Sequence, residues 1–140
     1  MLVSTKGRYA LRVMLELAQR PAGSYTPLPV IAEKQSVSEK YLESIVVLLS
    51  RAGLVDGVRG KGGGYRLTRT PAQYSVGEIL RLTEGSLAPV TCLEGEENTC
   101  PRAGHCHPLP MWEKLDSLIN GYLDSVSLAD LLRQTDGSGL

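Results

Sequence analysis

The sequence predicts a mainly α-helical protein with a small β-ribbon, arranged as a winged helix-turn-helix domain followed by a long C-terminal helix. Three observations predict it. Leu42, Ile45, Val46 and Leu49 recur at i, i+3, i+4 and i+7, the apolar stripe of a helix that meets Gly53 at its end. Leu54 and Val55 then resume as a strand and lead into the glycine-rich, basic loop Arg59-Gly60-Lys61-Gly62-Gly63-Gly64 and a second strand. Trp112, Leu115, Ile119, Tyr122 and Val126 step by 3, 4, 3 and 4, the spacing of a heptad seam.

Taken in order, Ser4 caps a helix running to about Gln19. Its Ala10, Val13, Met14 and Leu17 form one apolar stripe and Leu11, Leu15 and Ala18 a second, so the helix is expected to lie centrally. Lys6, Arg8 and Arg12 near its start are candidates for backbone contacts, or for a solvated face. Pro21 to Ser24 ends it, and residues 28–35 form a short helix around Ile31 and Ala32. Ser36 and Val37 leave room only for a tight turn. Ser36 with Glu39, or Ser38 alone, caps the next helix, whose polar face carries Ser38, Glu39, Lys40, Glu43 and Ser44. Ser75 with Glu78 reads as a capping box opening a helix with Val76, Ile79 and Leu80, which Gly85 closes. Pro108 or Pro110 starts the long helix, running to about Ser125, with Met111 and Leu118 beside its seam. That seam is read as a symmetric helix pair between two subunits. Ser127 with Asp130 caps a last helix over residues 128–133, and the tail TDGSGL is expected to fray. The resulting division is 1–85 for the winged domain, 86–107 for a cysteine-containing loop, 108–134 for the dimerisation helix and terminal helix, and 135–140 for the tail.

Net charge is zero, but its distribution is not even. Residues 1–70 hold eleven Lys or Arg against five Asp or Glu, and residues 71–140 hold four against ten. A basic half suits phosphate, and the acidic half limits indiscriminate binding. On that basis double-stranded DNA is the expected partner. Glycines at the loop tip tolerate positive φ and let the backbone approach a groove, while Arg59 and Lys61 supply charge. The Walker spacing of a nucleotide loop is missing, and no catalytic constellation is recognisable, so neither an enzyme nor a small-molecule substrate is expected. No run of about 18 apolar residues exists, so no membrane association is expected. The start lacks a secretory stretch, which leads to a cytoplasmic expectation.

Cys92, Cys100 and Cys106 are separated by seven and five residues, with His105 and His107 on either side of the last. The only three thiols and only two imidazoles of the chain lie within sixteen residues. Soft thiolates with imidazole are the donors of zinc and iron–sulfur centres. The tight C-x₂₋₄-C knuckle of structural zinc is missing, which favours an iron–sulfur cluster wrapped by the loop. A redox pair of Cys100 with Cys106 is the alternative.

The opening STKGRYALRVMLELA, the helix VSEKYLESI, the ribbon RAGLVDGVRGKGGGYRLTR and the three-cysteine loop before a long helix together resemble the IscR–NsrR family of bacterial winged-helix regulators. The likeness runs from Met1 to about Gln134 and is nearest to the family's iron–sulfur-biosynthesis regulators. It implies a homodimer that binds a palindromic operator, probing the major groove with Ser38, Glu43 and their neighbours Glu39, Lys40, Tyr41 and Ser44. Arg59 would reach into the minor groove beside Lys61. The resemblance also implies a 2Fe–2S cluster on Cys92, Cys100 and Cys106 with His107 as fourth ligand. A 4Fe–4S cluster or zinc, and His105, are the alternatives. The expected function is an iron–sulfur-sensing repressor of cluster-biogenesis genes. Its rivals are a regulator in the same family that senses nitric oxide, redox state or cysteine metabolism, a zinc-bearing adaptor, and a small electron carrier.

Overall fold

The computed structural model describes residues 3–135; the two N-terminal residues and most of the expected fraying tail, 136–140, lie outside them. Six helices and one ribbon follow in order: α1 (Thr5–Ala18), α2 (Leu28–Gln35), α3 (Glu39–Arg51), β1 (Val55–Val58), β2 (Gly64–Leu67), α4 (Val76–Glu84), α5 (Leu109–Ser125) and α6 (Leu128–Thr135). Short 3-10 turns occupy Pro71–Gln73, Thr91–Leu93 and Ala103–His105.

Ser4 accepts a hydrogen bond from the Gly7 N–H at 3.1 Å and so starts α1 where the sequence expects. Ala10, Val13 and Met14 are fully buried, as are Leu42, Ile45, Val46 and Leu49 of α3, so the two stripes meet in one core. Each such aliphatic side chain contributes about 1.5–3 kcal/mol by leaving water. Of the two caps the sequence offers for α3, the structure selects Ser38. Ser36 adopts φ 55, ψ 45 and closes α2 in the left-handed region, and the Val37 N–H returns to the Ala32 carbonyl at 3.1 Å. Ser38 alone caps α3, accepting from the Tyr41 N–H at 3.1 Å.

β1 and β2 pair antiparallel in the register Val55↔Leu67 through Val58↔Gly64. The loop before α2, read from the sequence only as a terminator, supplies a third edge. Thr26 and Tyr65 exchange N–H···O bonds of 2.9 Å in both directions. Gly64, at φ 146, is what permits this approach, since a Cβ there would strike the Thr26 carbonyl.

Ser75 accepts from the Glu78 N–H at 3.0 Å, but the reciprocal half of the expected capping box is missing. Arg69 claims both Glu78 oxygens instead, at 2.9 and 3.0 Å. At α6 the box is complete: Ser127 N–H reaches Asp130 at 2.9 Å and Asp130 N–H reaches Ser127 at 3.0 Å. The Ser127 backbone N–H is the chief reason that the Asp130 carboxyl titrates below its usual range. Leu128 is fully buried within the core formed by α1 and α3, and Ser75 bridges Ser127, so the terminal helix packs into the winged domain.

The α5 seam divides in two. Ile119, Leu123 and Val126 pack on Val76, Leu80 and Leu87, the satellite core built on α4. Met111, Leu115, Leu118 and Tyr122 face outward, spaced 4, 3 and 4 residues, with exposures of 54, 38, 56 and 67 %. The outward apolar stripe is therefore this set, which keeps Leu115 and Tyr122 of the expected seam, while Ile119 and Val126 are spent on the protein's own core.

Candidate nucleic-acid interface and cysteine loop

The N-terminal half of α3 presents Glu39, Lys40, Glu43 and Ser44 to solvent. Among the described residues Glu39, Lys40 and Glu43 have no hydrogen-bond or ion-pair partner, so their charges are free to meet a ligand. Ser44 instead turns its hydroxyl back to the Tyr41 carbonyl at 2.6 Å. Tyr41 is half-buried and packs edge-on against Tyr9, centroids 5.9 Å apart and planes at 88°. Arg12 lies 4.6 Å from the Tyr9 centroid and donates to the Gln35 side chain at 2.7 Å and its carbonyl at 3.1 Å. Tyr41 and Arg12 therefore lock α3 and α2 to α1, a use that single-residue reading missed.

Arg59 and Lys61 are exposed at the tip of the ribbon, beyond the last paired residues Val58 and Gly64. Gly60 and Gly62 there hold φ 93 and 78 with open space around them. Tyr74 fixes the base of the same ribbon. Fully buried, it donates to the Leu54 carbonyl at 2.7 Å and accepts from the N–H groups of Thr68 and Arg69 at 2.9 and 3.0 Å. The geometry is that of a winged helix with an exposed polar helix start, a charged wing and a rigid wing base.

Three links make α4 a hub. Glu78 at its start holds Arg69 at the wing base, and Glu84 at its end accepts the Ser4 N–H at 2.6 Å. Arg81 donates to Asp124 of α5 at 2.8 and 2.9 Å and to Asn120 at 2.7 Å. The hydrogen bonds that Arg69 and Arg81 donate to Glu78 and Asp124 raise the pKa values of the two guanidinium groups. Both pairs are more than a third exposed, so their value lies in positioning, and each contributes at most about 1 kcal/mol of stability.

The cysteine loop joins α4 to α5. Cys92, Cys100 and Cys106 are half-buried free thiols, and His105 and His107 are exposed. Turn hydrogen bonds shape it: Asn98 Oδ1 accepts the Cys100 N–H at 2.9 Å, and the Cys100 and Cys106 carbonyls accept from Ala103 and Leu109. Among the described residues, no three His, Cys, Asp or Glu side chains gather closely enough to hold a metal ion. The donor chemistry fits a thiolate-held centre, whereas the expected convergence of Cys92, Cys100, Cys106 and His107 is not formed in this conformation.

The family profile for Rrf2, described as an iron-dependent transcriptional regulator, matches residues 3–134. The chain belongs to the Rrf2 family. It is 40% identical over 137 residues to the transcriptional regulator CymR of Bacillus subtilis, covering 98% of this chain and 94% of that relative. It is 38% identical over 132 residues to the regulator IscR of Aliivibrio salmonicida, covering 94% of this chain and 77% of that relative. The solved structure of CymR, the global cysteine regulator of B. subtilis, superposes with TM-score 0.79 at 39% identity, over 97% of this chain and 99% of that one. IscR from T. potens superposes with TM-score 0.76 at 37% identity, over 100% and 92%. This Rrf2 protein is thus a transcriptional regulator and not an enzyme. Among its described residues no helix is long and apolar enough to cross a membrane.

Proposed function

We propose that this Rrf2 regulator is a cytoplasmic homodimer that represses genes of iron–sulfur biogenesis and reads cluster status through Cys92, Cys100 and Cys106. In this reading residues 1–85 bind operator DNA, 86–107 hold the cluster, and within 108–134 the outward face of α5 pairs the subunits while α6 packs into the winged domain. The observation that carries it is the cysteine loop: all three thiols of the chain, unpaired and half-buried, with both imidazoles in the same segment, between α5 and the α4 helix that reaches the wing base.

Cys92, Cys100 and Cys106 would hold a 2Fe–2S cluster, with His107 as fourth donor. When bound, that group supplies a tie across the loop that depends on iron supply and redox state. The chain's own residues do the rest. Arg81, Asp124 and Asn120 hold α5 on α4, so ordering the loop bears on α4 through that contact. The same helix holds Arg69 through Glu78 and the start of α1 through Glu84, so its position is felt at the wing base and beneath α3. Glu43 in a major groove accepts from a cytosine amino group and is repelled by acceptor edges, which makes operator choice sensitive to the setting of α3.

A second reading, regulation of cysteine metabolism without a cluster, is favoured by the similarity to CymR. Iron analysis and the visible spectrum after anaerobic purification, followed by operator selection with wild type and a Cys92→Ala/Cys100→Ala/Cys106→Ala variant, separate the two. The cluster reading expects iron in the wild type alone and a changed operator set in the variant. Iron-free protein, or identical operators bound equally tightly by both forms, favours the second reading. Zinc in place of iron points to an adaptor role.

A further inference from the structure

At the base of the wing, away from its tip, a cavity of about 380 Å³ opens between the end of α1, the loop 20–24, β2 and the turn 70–73. Arg20, Arg66 and Arg69 line it, and no acidic residue does. Its apolar wall includes Leu17, Leu67 and Pro71. The carboxylates that pair these arginines, Glu16, Asp56 and Glu78, lie outside that lining.

The guanidinium groups are held in place before any ligand arrives. Arg66 is fixed by Asp56 at 3.2 Å, by the Gly23 carbonyl at 3.3 Å and by the Tyr25 ring 4.5 Å away. Arg69 is fixed through Nη1 alone, with the Tyr74 ring 5.0 Å from its carbon, leaving Nε and Nη2 without a partner among the described residues. Arg20 Nε donates to Glu16 at 3.1 Å, while its buried Nη2 lies 3.1 Å from the same carboxylate without hydrogen-bond alignment. The open Nε and Nη2 of Arg69, flanked by the fixed positive charges of Arg20 and Arg66 and an apolar wall, are the recognition chemistry of a small organic anion, and preorganised forks lower its cost of binding.

We propose that the cavity between α1 and the wing base is an effector site for a small organic oxyanion with an apolar body, its head on Arg20, Arg66 and Arg69. A ligand there would bridge the central helix to the strand whose far end carries the wing, so occupancy would alter DNA affinity independently of the thiols. Backbone amide shifts measured by NMR on the full chain test it, with hexanoate, hexyl phosphate and uncharged hexanamide as probes. The expected result is saturable shifts confined to residues 20–24 and 66–73 with one or both charged probes. Hexanamide should give none, and Arg69→Gln should weaken binding about tenfold. Arg20→Gln provides the same comparison should the first variant fold poorly, and the protein without cysteines should bind the probes unchanged. Equal shifts with hexanamide, or no saturable shift with either charged probe, would overturn the site. So would shifts there with random duplex DNA and not with the probes, which assign the arginines to phosphate backbone.

Discussion

Arg59 and Lys61 stand two residues apart on one exposed tip, yet their expected roles differ. A guanidinium presents a planar fork that can read a groove edge, whereas an ammonium meets phosphate as a point charge. Arg59→Ala is expected to cost on the order of 1–3 kcal/mol on the operator, and Lys61→Ala to lower the salt slope by about one. Titrations on operator and random DNA at several salt concentrations check both, and equal losses on the two DNAs would remove base reading from Arg59. The same selection run on Glu43→Ala should recover a broader operator set; an unchanged set would deny Glu43 its discriminating role. These polar positions were legible in the sequence because exposure at a helix start and a glycine-rich tip follows from pattern alone. Tyr41 and Arg12 were not, because their contacts join residues 23 to 32 positions apart, which no local spacing encodes.

At the scale of the element, the ribbon depends on one phenol. Tyr74→Phe removes the short hydrogen bond to the buried Leu54 carbonyl, leaving it only the longer one from the Thr68 hydroxyl, and removes the acceptor for the part-buried Thr68 and Arg69 N–H groups. Urea unfolding is expected to show a loss of about 1–3 kcal/mol, with weakened DNA binding through a looser wing. A stability equal to wild type would mean that water replaces the phenol without cost. Helix starts were readable where a short-range partner decides them, as at Ser4, Ser38 and Ser127. The box at α4 was misread because a group outside the helix competes: Arg69 takes Glu78 from its expected partner. The third edge at Thr26 was hidden because a single bridged residue leaves no alternation to detect.

For the whole molecule, four exposed apolar side chains on α5 form a stripe that a second copy can cover. Leu118→Lys should weaken self-association at least about tenfold in sedimentation experiments while leaving the monomer folded. A dimer of unchanged strength would place the subunit contact elsewhere. Heptad spacing gave α5 a single seam, and only packing showed that Ile119 and Val126 turn inward while Leu115 and Tyr122 join Met111 and Leu118 on the outside. The geometry of that helix carries a mechanical consequence. Its last residues are pinned, by the Val126 carbonyl accepting from Val76 at 2.8 Å and by Leu128 in the core, whereas its first turn hangs on the cysteine segment. The roughly ten residues before Ile119, at 1.5 Å each, make a lever roughly 15 Å long, pivoted where Ile119, Asn120 and Asp124 meet α4. A tilt of about 10° at that pivot swings the free end by roughly 2.5 Å.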